Sequence, residues 1–171
     1  MRRTSPILTT LLLAASGLLA APAGAQIAPG GGPVAYGADN VEYLDSEGLL
    51  QLSGRAELIQ AENRLRANTI DLHFESRGQG QAGGGGDVEE VVAMGDVYFV
   101  TPTQVIRGER AVYTAATDTI VVTGEVILTQ GENVMTGSRL TVQVESGRAT
   151  MDGAPTEAGR RVRGVFYPDE S

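Results

Sequence analysis

The sequence predicts an all-β domain: an open, twisted β-jellyroll or sandwich built from stacked, V-shaped strand repeats. Three observations carry that expectation. Apolar and polar residues alternate with period 2 through most of the chain, and no segment after residue 25 shows a convincing helical period. Glycines recur in the middle of otherwise good strands. The spacing of those glycines repeats.

The elements follow in chain order. Arg2 and Arg3 precede an apolar stretch from Ile7 to Ala21, and Ala23-Gly24-Ala25 gives a small-residue cleavage pattern before Gln26. Residues 1–25 therefore read as a cleaved secretory signal peptide, too short to span a bilayer comfortably. An uncleaved anchor is the alternative. The remaining chain, about 146 residues, suffices for one domain with its own core. Residues 26–33 form a Pro/Gly-rich, flexible start, residues 34–168 a single β domain, and residues 169–171 a tail.

Within that domain three segments align on a central glycine: "LQLSGRAELIQAENRLRANTIDL" from Leu50, "VVAMGDVYFVTPTQVIRGERAVY" from Val91, and "IVVTGEVILTQGENVMTGSRLTV" from Ile120. The central glycines are Gly54, Gly95, Gly124 and, more degenerately, Gly153, at intervals of 41, 29 and 29 residues. Small residues in a second series (Ala38, Ala67, Gly108, Gly137) follow at intervals of 29, 41 and 29. Each series contains one interval that is 12 residues too long. The two long intervals overlap only between Ala67 and Gly95, which locates a flexible, Gly-rich insertion in residues 75–90. Its glycines do not form a phosphate loop, since no Lys follows and no helix opens after it.

Parity assigns the faces. Leu50, Leu52, Gly54, Ala56 and Leu58 point one way, as do Val91, Ala93, Gly95, Val97 and Phe99, and Ile120, Val122, Gly124, Val126 and Leu128. Beyond the corner, Ile70, Leu72, Phe74, Ala111, Tyr113, Leu140, Val142 and Val144 continue inward. The central glycines are thus expected on the inward face, where a missing side chain permits a bend.

Composition excludes several functions. Residues 26–171 carry 11 Arg, no Lys and 21 acids, a formal charge of −10. That balance disfavours nucleic acid and anionic membrane surfaces. There is no Cys and a single His, His73, whose parity puts it on the outer face. A transition-metal centre has little to work with, and no cofactor is expected. Acid pairs such as Glu89-Glu90 and Asp169-Glu170 sit in loops or the tail, not across a cleft. Nothing in the sequence makes a case for an enzyme. The inward face suits an ordinary sandwich core or a ligand cavity, and the residues alone leave both open.

The recurring pattern apolar-x-apolar-x-Gly-x-Val-x-apolar at 91–99 and 120–128, the corner "QGENVMTGSRLTV" at 130–142 and the ending "RVRGVFYP" at 161–168 resemble the OstA-like domain of the LptA-type periplasmic lipopolysaccharide-transport family. The resemblance covers essentially the whole chain after residue 25. The 75–90 insertion and the start "IAPGGGP" depart from it. It implies a non-enzymatic periplasmic protein that carries lipopolysaccharide from an inner-membrane ABC transporter complex to an outer-membrane assembly complex. The lipid A acyl chains would lie in an apolar groove. On that reading they contact Leu50, Leu52, Leu58, Ile70, Leu72, Phe74, Val97, Phe99, Val126, Leu128, Leu140 and Val142.

The implied partners are lipopolysaccharide, an inner-membrane LptC-like component, an outer-membrane LptD-like component, and further copies of the chain in a head-to-tail homo-oligomer. Docking is expected at the terminal edges, one at Val34 and Tyr36 and the other at Val162, Val165 and Phe166, by strand addition. Arg160, Arg161 and Arg163 either align an acidic partner edge or simply blunt aggregation. The competing class is a structural or adhesive exported β-repeat protein with a sealed core. An outer-membrane barrel is disfavoured by the few aromatics and the lack of aromatic girdles.

Overall fold

The structure, a computed structural model, describes residues 32–75, 87–154 and 161–168. The segment read as a signal peptide, most of the Pro/Gly-rich start, residues 76–86 of the insertion, Arg160 and the tail lie outside the described residues. Strand β5 begins at Val88, so residues 88–90 belong to a strand and not to the insertion.

The strands are β1 (Val34–Gly37), β2 (Asn40–Leu44), β3 (Leu49–Gln60), β4 (Asn63–Phe74), β5 (Val88–Val100), β6 (Val105–Thr114), β7 (Thr119–Gln130), β8 (Asn133–Gln143), β9 (Arg148–Asp152) and β10 (Arg163–Val165). They form one antiparallel sheet in the order β1-β3-β4-β5-β6-β7-β8-β10, with β2 also on β3 and β9 also on β8. Short hairpins set the β3–β4, β5–β6, β6–β7, β7–β8 and β8–β9 pairings, because consecutive alternating strands joined by tight turns pair with each other, while β4 and β5 pair across the longer 75–87 connection.

Each long strand turns a corner. The register jumps between Ser53 and Ala56, Met94 and Val97, and Thr123 and Val126, so that two residues of one strand face a single residue of the next. These are β-bulges, and Gly54, Gly95 and Gly124 open them with φ of +75, +77 and +105°. The bulges divide each long strand, β3 to β8, into two arms. The β3 arm 49–53 pairs with β2 and the arm 57–60 with β1; the two arms of β8 likewise take β9 and β10. The sheet is therefore folded along a line of bulges and left open at its ends, which is the predicted V-shaped jellyroll.

The inward orientation expected of the central glycines is not the one they adopt. The central glycines do not face the core. A Cβ at Gly54 would lie 2.6 Å from the Asp39 carboxylate, one at Gly95 2.5 Å from the Asn68 amide, and one at Gly124 2.5 Å from Cγ of Glu109. All three neighbours are exposed, so the missing side chains point to the outer side of the corner. The reason is the positive φ: it rotates the Cα–Cβ direction out of the two-residue alternation that parity counting assumes. Asp39 completes its corner by pairing with Arg55 at 2.5 Å. The hydrogen bond from the guanidinium holds the Asp39 carboxyl below its usual range. Both groups are exposed, so the pair fixes geometry more than it adds stability.

The second small series faces inward instead. Ala67 is buried, and a Cβ on Gly108 would press within 2.5 Å of Val122 Cγ1. Small residues there let the two arms approach each other. The core fills the angle between them, from Leu52, Ile70, Ala93, Ala111, Val122 and Leu140 on one arm to Leu58, Val97, Ile106 and Val126 on the other. Burying a large aliphatic side chain contributes about 1.5–3 kcal/mol. No disulfide is needed to hold such a core together.

Candidate functional site

Antiparallel partners share a face of the sheet, so the registers trace continuous inward rows across the strands. One runs Val41, Leu52, Ile70, Ala93, Ala111, Val122, Leu140, Met151. Beyond it lies Tyr43, Leu50, Leu72, Val91, Tyr113, Ile120, Val142, Ala149. On the opposing arm a third runs Tyr36, Leu58, Leu65, Phe99, Ile106, Leu128, Met135. These rows run from the first edge of the sheet to the last and form an apolar trough along its length.

All twelve residues expected to line a groove fall on this inward side. They are not equally open. Leu52, Leu58, Ile70, Leu72, Val97, Val126 and Leu140 are buried in the core, whereas Leu50, Phe74, Phe99, Leu128 and Val142 are only partly buried against it. Four of the twelve (Phe99, Leu128, Leu140 and Val142) line a cleft of about 220 Å³ between the arms. Its wall is completed by Ile106, Ile120, Val144 and Ala149, with Asn63, Thr101 and Gln104 at one margin.

Sequence reasoning missed Ile106 and Leu65, which continue the third row. On the strands that follow the glycine-bulged ones, alternation flips at the corner, so counting parity only beyond it overlooks the arm before it. The usable signal is an apolar residue two positions ahead of each second-series small residue: Tyr36, Leu65, Ile106 and Met135 all obey it.

The trough ends are bordered by unsatisfied edges. Among the described residues, β1, β2, β9 and β10 each pair on one side only. Val34 and Tyr36 lie on β1, and Val165 on β10, flanked by Val162 and Phe166; Phe166 is 75% exposed. Val34, Tyr36 and Val165 thus lie on edge strands and Val162 and Phe166 beside one, while β2 and β9 are edges of the other arm. Tyr43 and Val41, on β2, and Tyr36 stay about half-exposed because no further strand covers their inward face. Arg161 and Arg163 border a second cleft, of about 480 Å³, on the outside of the β7–β8 corner with Glu125 and Ser138.

Among the described residues, the ionisable groups on the inward rows traced above are Tyr36, Tyr43 and Tyr113. Burial, and then its hydrogen bond to Asp118 at 3.2 Å, push the Tyr113 hydroxyl pKa above the usual value. No group of three or more His, Cys, Asp or Glu among the described residues is placed to hold a metal ion. Among the described residues, the trough lining is mainly apolar.

Comparison with known proteins gives the arrangement a context. The chain superposes on the crystal structure of LptH, the LptA homologous periplasmic component of the conserved lipopolysaccharide transport device from Pseudomonas aeruginosa, with a TM-score of 0.65. That match covers 80% of this chain and 96% of LptH at 18% identity, which shows a common fold. An uncharacterized protein of Rhizobium meliloti (strain 1021) is 27% identical over 116 residues. The aligned stretch spans 67% of this chain and 62% of that relative's length. Residues 35–148, the stretch that holds the bulged strands and most of the trough, match the family described as LptA/(LptD N-terminal domain) LPS transport protein, and the chain belongs to that family.

Proposed function

We propose that this protein is a periplasmic carrier of lipopolysaccharide, passing it from an inner-membrane ABC transporter complex through an LptC-like contact to an outer-membrane LptD-like component. The observation that carries the reading is the continuous apolar trough, open along one seam and bounded by unpaired edges at both ends. A saturated chain of a dozen carbons costs about 0.8 kcal/mol per CH₂ exposed to water, on the order of 10 kcal/mol per chain. Release into the aqueous periplasm is therefore prohibitive for a lipid with several chains. Successive rows of equivalent apolar residues let a chain advance at small cost per step, while sugars and phosphates stay in water at the seam.

The partly buried residues Leu50, Phe74, Phe99, Leu128 and Val142 are the first acyl contacts. Leu52, Leu58, Ile70, Leu72, Val97, Val126 and Leu140 already touch protein neighbours, so chains reach them only as the two arms splay apart. Direction comes from the upstream ATPase, since the trough supplies no catalytic groups. The unpaired strands β1 and β10 dock the partner components, or further copies of this chain, by strand addition.

The burial of seven expected contacts favours one competing reading, a sealed-core structural protein. Purification from the native host without detergent, followed by lipid extraction and mass spectrometry, separates the two. Stoichiometric, multiply acylated lipid A is expected. Protein that emerges lipid-free under those conditions supports the sealed core.

A further inference from the structure

The two free margins of the trough are chemically unlike. On the arm that carries β2 and β9, Phe74, Val88, Ala115 and Val144 form a mainly apolar margin packed on the core, where Asp118 accepts the Tyr113 hydroxyl. On the other arm the corresponding row begins at Val34 on β1 and continues Gln60, Asn63, Thr101, Gln104, Gln130 and Asn133. Gln60 is opposite Asn63, Gln130 is opposite Asn133, and the Thr101 N–H donates to the Gln104 carbonyl at 2.9 Å. Each lies one alternation beyond the apolar row Leu58, Leu65, Phe99, Ile106, Leu128, Met135, so the same face continues. Adjacent strands lie about 4.8 Å apart, and beyond Val34 the margin therefore presents an amide or hydroxyl at that interval along the trough.

Polar residues at strand ends are ordinary, and solvation alone would explain them. Two observations go further. No member of the row is charged, although charged residues do occur among the neighbouring positions, at Glu62, Arg64 and Glu132. A solvated end takes charges as readily as amides. Second, Gln60 is only 5% exposed, and its Oε1 has no hydrogen-bond partner among the described residues; its Nε2 reaches the Gly32 carbonyl at 3.5 Å. Thr101 is occupied by its own turn and Asn133 Oδ1 accepts the Tyr167 N–H at 2.8 Å. No side-chain hydrogen bond within the described residues engages the amides of Asn63, Gln104 or Gln130. Asn63, Thr101 and Gln104 share the cleft wall with Val144 and Ala149, so the polar and apolar margins face each other.

We propose that this amide row binds the uncharged hydrogen-bonding groups, hydroxyls and amide N–H, at the junction between the acyl chains and the sugar headgroup of a glycolipid in the trough. The inference rests on the reading of the trough as a lipid carrier. A primary amide both donates and accepts, so one residue type serves every polar group at that junction. In the cleft wall the amide oxygens of Asn63 and Gln104 accept from a hydroxyl or amide N–H. Uncharged partners give weaker contacts than ion pairs, and a ligand exchanges one for the next without being trapped. The row orients the headgroup toward one margin while the chains lie against the other.

The test compares purified lipopolysaccharide with dodecanoic acid as probes, using the full exported chain. In the double variant Asn63→Leu/Gln104→Leu, lipopolysaccharide affinity falls about tenfold or more, as expected for two lost hydrogen bonds, while dodecanoate binding stays within about twofold. The conservative pair Asn63→Gln/Gln104→Asn keeps lipopolysaccharide affinity near that of the unmodified protein. Unchanged lipopolysaccharide binding in the leucine variant overturns the amide row but leaves the lipid trough standing. Parallel loss of both probes also overturns it, because that is the signature of a distorted trough. If the unmodified protein binds neither probe, the lipid trough itself fails and the amide row with it.

Discussion

At Gly124 the backbone has φ +105°, and a Cβ would meet three side-chain atoms of Glu109 within 2.8 Å. Valine is the better strand former by propensity, yet here it must adopt a backbone that L residues rarely take, with a branched Cβ against a neighbour. Gly124→Val is expected to lower unfolding free energy by about 1–3 kcal/mol, read as a shifted denaturant midpoint. An unchanged midpoint would mean that the corner tolerates ordinary strand geometry. The recurrence of these glycines was visible in the sequence as a 29-residue period. Their orientation was not, because alternation counts residues whereas a bulge places two residues against one and turns the side-chain vector by a positive φ.

The hairpins carry the same repeat with one informative difference. The β7–β8 turn has Gly131 at φ +58°, and the matching β3–β4 turn has Ala61 at φ +52°. An L residue in the left-handed region costs roughly 1–2 kcal/mol, partly offset by the entropy that glycine gives up on folding. Ala61→Gly should therefore stabilise the protein by about 0.5 kcal/mol, and Gly131→Ala should destabilise it by a similar amount. Thermal denaturation of the two variants checks both signs; shifts in the same direction would show that the turns are not equivalent. Strand identity and order followed from alternation and spacing, as in the match between the predicted inward residues and the cluster around Leu52, Ile70 and Val122. Two things escaped. The start of β5 at Val88 was hidden because Val88 sits beside the acids Asp87, Glu89 and Glu90, which read as loop. The arm containing Leu65 and Ile106 was hidden because the corner resets the alternation.

Over the whole molecule, the fold is a single sheet bent along its bulges, with its inward rows unbroken from β1 and β2 to β9 and β10. Such a shape leaves edge strands at both ends, a liability that proteins usually blunt. Here β10 carries Arg163 and is flanked by the exposed Phe166 and Tyr167, which makes it a surface suited to strand addition. The sequence could place the trough residues on one face, but it could not say which are sealed: Leu128 and Leu140 share a parity and a residue type and both line the cleft, yet packing against the opposite arm buries Leu140 and leaves Leu128 only partly buried. The central claim is that this cleft holds acyl chains during transport. Photo-crosslinkers at Phe99 and Leu128, which line the cleft, and at Glu125, which lies on the outer side of the corner, test it in cells. Lipopolysaccharide adducts at Phe99 and Leu128 with none at Glu125 are predicted; equal labelling at all three positions, or none at the two cleft positions, would contradict the account.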